Sequence, residues 1–361
     1  MAKRYYHYHI KVEFDKNRME CKQGLVYSDY LNGKGRKDTF VFLPKELNIV
    51  AHRTKLIEDG KILSSNKNSV YYQLLKALLY YYALSRTFPR IKNVEIVLKR
   101  AKSEDYYYKE CTNFIQPLVS GKNNPYVFDP DKLKALFNED DRGDSLRAVI
   151  SNWLKAVSSD DRYYCFEHLW KAFNRLYVFY GKQCLKKVNE KECQIKIRDL
   201  ILNNFELIHD SIAITNSYSE SEIRSFRWRS FVLNEYDGEN KTKELIGWIK
   251  NYHDKRIMAL FTQILPYRQE FINKIGKLDE VQKHINNNSS TTIDAELVAL
   301  IAIKYAYFAR NKMIHGELPD STFKIHENRE DLEFDKLNTL LSTLVAGLIN
   351  NNDAIQIKKT L

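Results

Sequence analysis

From Tyr5 to Phe14 (YYHYHIKVEF), and again over Leu25 to Tyr30 and Thr39 to Leu43, β-branched and aromatic residues alternate with polar ones. A period of two belongs to a half-buried strand, and Gly24 and Asn32-Gly33-Lys34-Gly35 supply turns between the runs, so this stretch predicts short strands joined by tight turns. Ser69 is positioned to cap a helix through Ser85, with Leu74, Leu75, Leu78, Leu79 and Tyr82 at apolar positions and Pro89 as its stop. Val94 to Leu98 (VEIVL) predicts a further strand. Residues 1–120 are therefore expected to form a small α+β domain.

The periodicity weakens over residues 121–150, where Gly121, Pro125, Pro130 and the acidic run Glu139 to Asp144 suggest a linker or junction. Past it, strand signals almost vanish. Ser158, Ser159 and Asp160 lead into a helix whose Phe166, Leu169, Trp170, Phe173, Leu176, Tyr177 and Tyr180 keep the i, i+3, i+4, i+7 spacing of one buried stripe. Further helical patterns run over Glu192–Ile214, Ser221–Leu233, Lys241–Lys283 with a break near Pro266, Thr292–His315 and Asp331–Asn350. Residues 151–361 thus predict an all-α bundle, and 361 residues suit two domains.

Charge adds an asymmetry to this picture. The first hundred residues hold 20 Lys and Arg against 9 Asp and Glu, whereas the remainder is balanced, so the net +11 is concentrated at the N-terminal end. With Tyr5, Tyr6, Tyr8, Tyr27 and Tyr30 interleaved, such a basic stretch suits RNA through counterion release and base stacking, and Arg4, Tyr6, His7, His9 and Lys11 are its candidate contacts. His7-x-His9 places two imidazoles on one strand face without an evident third metal ligand, so no metal or other cofactor is expected. Five cysteines, odd in number and without a Cys-x-x-Cys pair, argue against a disulfide framework or a structural zinc. Neither a bilayer-length apolar run nor a secretory leader is evident, so a cytoplasmic protein is expected.

The sharpest chemistry lies in Phe308-Ala-Arg310-Asn311-Lys-Met-Ile-His315-Gly316-Glu317. Thr291 and Asp294 resemble a capping box, and Gly316 with Pro319 forms a stop, which places Arg310, Asn311 and His315 in the last turns of one helix. Asn311 and His315, four apart, share a face, where Asn311 can orient the imidazole; Arg310 sits about 140° round from His315, across a groove. The helix dipole favours a protonated imidazole there. An Arg and a His with four to six residues between them is a loose pattern: among 19 Arg and 9 His it also occurs at Arg4/His9 and Arg162/His168. Only Arg310/His315 combines a long amphipathic helix, an Asn after the Arg and a Gly after the His.

This Arg-Asn-x3-His segment resembles the motif of HEPN-superfamily ribonucleases, and Phe166 to Tyr177 (FEHLWKAFNRLY) resembles the aromatic-rich early helix of many HEPN bundles. The resemblance covers residues 151–361. It implies an HEPN-like bundle and a metal-independent endoribonuclease cutting single-stranded RNA or tRNA loops to 2′,3′-cyclic phosphate ends. His315 would be acid/base, Arg310 the phosphate stabiliser and Asn311 the orienting residue, with Glu167 and Asn174 as supporting polar groups. One Arg and one His make an incomplete site, so a homodimer with a composite cleft is expected. Such a protein would serve as a toxin or antiviral defence effector, held by an antitoxin or released by a phage-derived trigger. Glu317 stands where many toxins paired with a nucleotidyltransferase antitoxin carry Tyr. The alternative within the superfamily is a non-catalytic module that binds nucleotide or RNA or serves as an adaptor.

Overall fold

Nine residues of strict alternation, Tyr6–Phe14, form strand β1 of a six-stranded sheet, with Tyr8, Ile10, Val12 and Phe14 buried and the residues between them half-buried. The computed structural model describes residues 6–15, 24–29, 37–57, 61–63, 68–100, 106–111, 116, 118–119, 121–126, 128–186, 189–314, 325–353 and 355. The other strands are β2 (Gly24–Asp29), β3 (Lys37–Leu43), β4 (Glu46–Arg53), β5 (Ile91–Arg100) and β6 (Tyr106–Cys111), ordered β2-β3-β4-β1-β5-β6 with every neighbouring pair antiparallel. Strands β4 and β6 were not expected. In β4 the inward set is Leu47, Ile49, Ala51 and Arg53; an alanine and an arginine on the core face disguise the alternation. The β3–β4 turn carries Pro44, which reads locally as a break rather than as a hairpin tip.

Helix α1 (Ser69–Ala83) covers the apolar face, its Tyr81 ring stacked on Phe14 at 4.0 Å and Tyr80 lying on Phe42 at 4.6 Å. Its cap is Asn68, whose side chain accepts from the Tyr71 N–H, and not Ser69, whose hydroxyl accepts from Arg53 Nε at 2.7 Å. Leu75, expected inward, is exposed. The acidic run Glu139–Asp144 opens a helix that periodicity had not marked, α3 (Asp141–Val157), which follows the short α2 (Pro130–Leu133). Asp140 caps α3 at the Gly143 N–H, and carboxylates in a first turn complement the helix dipole. Glu139 itself pairs with the buried Lys76 of α1.

The chain after α3 is helical, so the architecture is an α+β unit followed by a mostly helical region, as the patterns predicted. These elements are α4 (Arg162–Cys184), α5 (Glu190–Asn203), α6 (Phe205–Ser217), α7 (Glu220–Ser225), α8 (Trp228–Glu235), α9 (Gly238–Lys250), α10 (Lys255–Ile264), α11 (Gln269–Lys274), α12 (Leu278–Asn287), α13 (Asp294–Ala299), α14 (Ala306–Ile314) and α15 (Arg329–Asn350). Of the α4 stripe, all but the half-buried Tyr180 is buried. The expected Glu192–Ile214 helix is two helices, broken at Asn204, where the backbone leaves the helical region at ψ 82°. Contacts divide the chain into two compact units, residues 1–160, 171–179 and 349–361, and residues 161–170 and 180–348. Among the described residues no helix is long and apolar enough to cross a membrane.

One close approach in the helical unit carries a prediction. A Cβ built on Gly347 of α15 would lie 2.5 Å from the Leu207 carbonyl oxygen of α6. Propensity alone says that Gly→Ala inside a helix stabilises by about 0.5–1 kcal/mol. The backbone clash reverses the sign: Gly347→Ala should lower stability by about 1–3 kcal/mol, seen as a fall in the urea midpoint.

Candidate active site

The segment that carries Arg310 begins deep in the helical unit. Leu297 to Ile303 is almost wholly inaccessible, apolar on every side as a helix enclosed by others must be. α13 packs on α5 and α6, a π-helical turn over Leu300–Tyr305 follows, and α14 continues to Ile314. Burial ends abruptly: Phe308 and Ala309 are buried, while Arg310, Asn311, Lys312 and Met313 are half-buried.

The start of this helix differs from expectation. Thr291 and Asp294 form no capping box: the Thr291 carbonyl accepts from the Lys255 N–H at 2.6 Å, the Asp294 carboxylate accepts from Arg256 at 2.8 Å, and Ile293 at the N-cap offers no side chain. Buried Asp254 substitutes by taking the Ile293 N–H at 2.7 Å. A tertiary ion pair has claimed the groups that local sequence assigned to a cap.

Further along, Tyr305 anchors the helix. Its hydroxyl accepts from the Arg227 N–H at 2.8 Å, and the Arg227 guanidinium is paired with Glu333 at 2.8 Å and with Glu330, both on α15. Phe226, Trp228, Phe231 and Phe308 surround the Tyr305 ring. Burial, reinforced by the Glu333 carboxylate, pushes the Tyr305 phenol well above its ordinary pKa, so it stays protonated and serves as a strut at neutral pH. The two segments that carry the HEPN resemblance meet here, with Trp170 of α4 edge-on to Tyr307 of α14 at 6.0 Å.

Arg310 Nη1 donates to Asn311 Oδ1 at 3.0 Å, and its buried Nε has no acceptor among the described residues. By contrast, Arg162, Arg227 and Arg256 are each closed into pairs with carboxylates. A guanidinium in a fixed fork that keeps a buried donor unmatched is suited to accept an anion. The partner observed for Asn311 is thus Arg310. His315, together with Gly316, Glu317 and Pro319, lies outside the described residues. Glu167 is half-buried on α4, one turn before Trp170, whereas Asn174 belongs to the first unit, where its amide donates to the Tyr177 hydroxyl.

On the sheet, His7, His9 and Lys11 lie on the β1 face opposite the core, and Tyr6 begins the strand, half-buried; Arg4 is outside the described residues. His7 Nδ1 and His52 Nδ1 are hydrogen-bonded at 2.7 Å, a pairing across β1 and β4 that sequence could not show. Burial, with Lys99 and His7 beside it, holds the His9 imidazole below its ordinary pKa. Lys11 is engaged by Glu13 at 2.7 Å and Glu46 at 3.1 Å, which raises its pKa and offsets the charge it offers to a phosphate. The basic character of this face is therefore weaker than the residue count suggested. No family model, curated protein or solved structure matches the chain.

Proposed function

We propose that this chain is a metal-independent endoribonuclease whose active site is built on the end of α14. One observation carries the reading: Arg310, half-buried at the point where a core helix emerges, keeps a guanidinium donor without an acceptor among the described residues and is steadied by the residue next to it. A buried donor left unmatched costs about 1–3 kcal/mol, a cost that a phosphate oxygen bound there would offset.

In the proposed reaction the RNA 2′-OH attacks its own 3′-phosphorus, forming the O2′–P bond as P–O5′ breaks. An unprotonated imidazole takes the 2′ proton and an imidazolium returns one to the departing 5′ oxygen, leaving a 2′,3′-cyclic phosphate. Arg310 donates to the non-bridging oxygens as their charge rises. Two proton transfers need two imidazoles, and each chain brings one His315, so the working form is a homodimer whose two helix ends face a shared cleft. The half-exposed sheet face with His7 and His9 is the candidate surface for single-stranded RNA, by imidazole stacking and hydrogen bonds more than by charge. A nuclease of this type would act as a toxin or antiviral effector inside the cell, under control of an antitoxin or a phage-derived trigger.

The test is to incubate the purified chain with total RNA in excess EDTA and map the new 3′ ends. Cyclic phosphate ends are expected. Ends bearing only 3′-hydroxyls, or cleavage that stops with EDTA, would overturn the reading.

A further inference from the structure

A pocket of about 240 Å³ opens in the helical unit between α5, α9 and the π-helical turn, and Arg310 is not among the residues that line it. Three of its lining side chains are cations, Lys191 and Arg198 of α5 and Lys304 of the π-helical turn, against one carboxylate, Glu244 of α9. The counterions are unevenly shared. Arg198 pairs with Asp199 at 2.9 Å, and Lys191 reaches Glu244 at 3.8 Å, where Lys241 also lies at 3.4 Å. Lys304, half-buried inside the run Leu-Ile-Ala-Ile-Lys-Tyr, has no carboxylate within ion-pair distance among the described residues.

Holding an ammonium in such a place is unfavourable. Burial pulls the Lys304 pKa below its ordinary value, and Lys191 and Arg198 press it further in the same direction. An alkyl side chain would fill the same space without that cost. The π-helical turn is a second irregularity at the same place, and such turns concentrate at functional positions. Both are accounted for if an anion completes the site.

We propose that this pocket binds a small phosphate monoester, with the phosphate held by Lys304, Arg198 and Lys191. Its volume exceeds what inorganic phosphate needs and falls below that of pockets that enclose drug-sized ligands, about 300–1,000 Å³. The fit is to a phosphate carrying one sugar or nucleoside. Much of the remaining lining is apolar, with Tyr236 stacked on Trp248 at 5.6 Å and Ile195 exposed, and this suits the organic part. Glu244 can accept from a sugar hydroxyl. Lys304 and Arg310 are borne on the same helical segment, so ligand binding acts on the element that carries the proposed nuclease site. The binding inference itself does not depend on RNA cleavage.

The test is calorimetric titration of the full-length protein, without RNA, using AMP, ribose 5-phosphate and adenosine. AMP is expected to bind and adenosine not; ribose 5-phosphate binding as tightly as AMP identifies the sugar phosphate as the recognised part, and weaker binding identifies a nucleotide. Lys304→Met should weaken AMP binding at least tenfold, and Arg310→Ala should leave it unchanged. Should Lys304→Met fail to fold, the Lys191→Met/Arg198→Gln double variant carries the same expectation. Absence of AMP and ribose 5-phosphate binding at ~5 mM, adenosine binding as tightly as AMP, undiminished binding by the pocket variants, or loss of AMP binding on Arg310→Ala would each overturn the proposal.

Discussion

His315→Ala is expected to reduce RNA cleavage by about 10²–10⁴-fold, the range associated with a positioned proton-transfer group, while leaving the unfolding transition in place. Stability should be spared because the apolar contacts of this helix lie upstream, in the buried segment from Leu297 to Ala309, and the strut at Tyr305 closes before Arg310 is reached. Arg310→Ala should lower the rate by about 10²–10³-fold through lost stabilisation of the phosphoryl oxygens, and the double variant should be little slower than the worse single, since the two groups act on one transition state. Single-turnover rates on one RNA substrate, with melting curves for each variant, decide the matter. Equal rates for wild type and His315→Ala would remove the assignment.

The largest stability effect is expected at Asp38, in the α+β unit. Its carboxylate is fully buried and takes Arg53 through two bonds, Nη1 to Oδ1 at 2.9 Å and Nη2 to Oδ2 at 2.8 Å. It also accepts from Gln73 of α1 at 3.0 Å and from the His52 N–H at 2.9 Å, so one side chain joins β3, β4 and the covering helix. Asp38→Ala would strand the Arg53 guanidinium, only 4% exposed, with its charge uncompensated, and should cost about 3–5 kcal/mol. Asp38→Leu combined with Arg53→Leu should recover most of that loss, because the penalty arises from the orphaned charge more than from the missing pair. Urea unfolding of the three variants measures it. A cost below about 1 kcal/mol for Asp38→Ala would show that water reaches the pair.

These effects divide according to how far the sequence could foresee them. Strand β1 and helix α4 were legible because each buries one face, and burial imposes its period on the residues: two for Tyr8, Ile10, Val12 and Phe14, and 3.6 for Phe166, Leu169, Trp170 and Phe173. The helical setting of Arg310 and Asn311 followed from the same logic, in the long apolar segment that precedes them. Strand β4 was not legible because Arg53 occupies a core-facing position, tolerated only by a carboxylate from another strand. Likewise the Glu139–Asp144 run resembled a solvated linker until a partner, Lys76, was supplied for its first residue. Lys304 carried a signal that periodicity passes over, a lone ammonium in an apolar run.

Sequence by itself determined the class of each half, the buried stripe of α4, and the helical setting of Arg310 and Asn311, because burial periodicity is a local property of the chain. Only the tertiary structure decided which charges are satisfied. It gave Asp38 to Arg53, Asp294 to Arg256 and two glutamates to Lys11, and left Arg310 Nε and Lys304 without protein acceptors among the described residues. Pairing depends on distance through space between residues far apart in the chain, and a one-dimensional pattern contains no such distances.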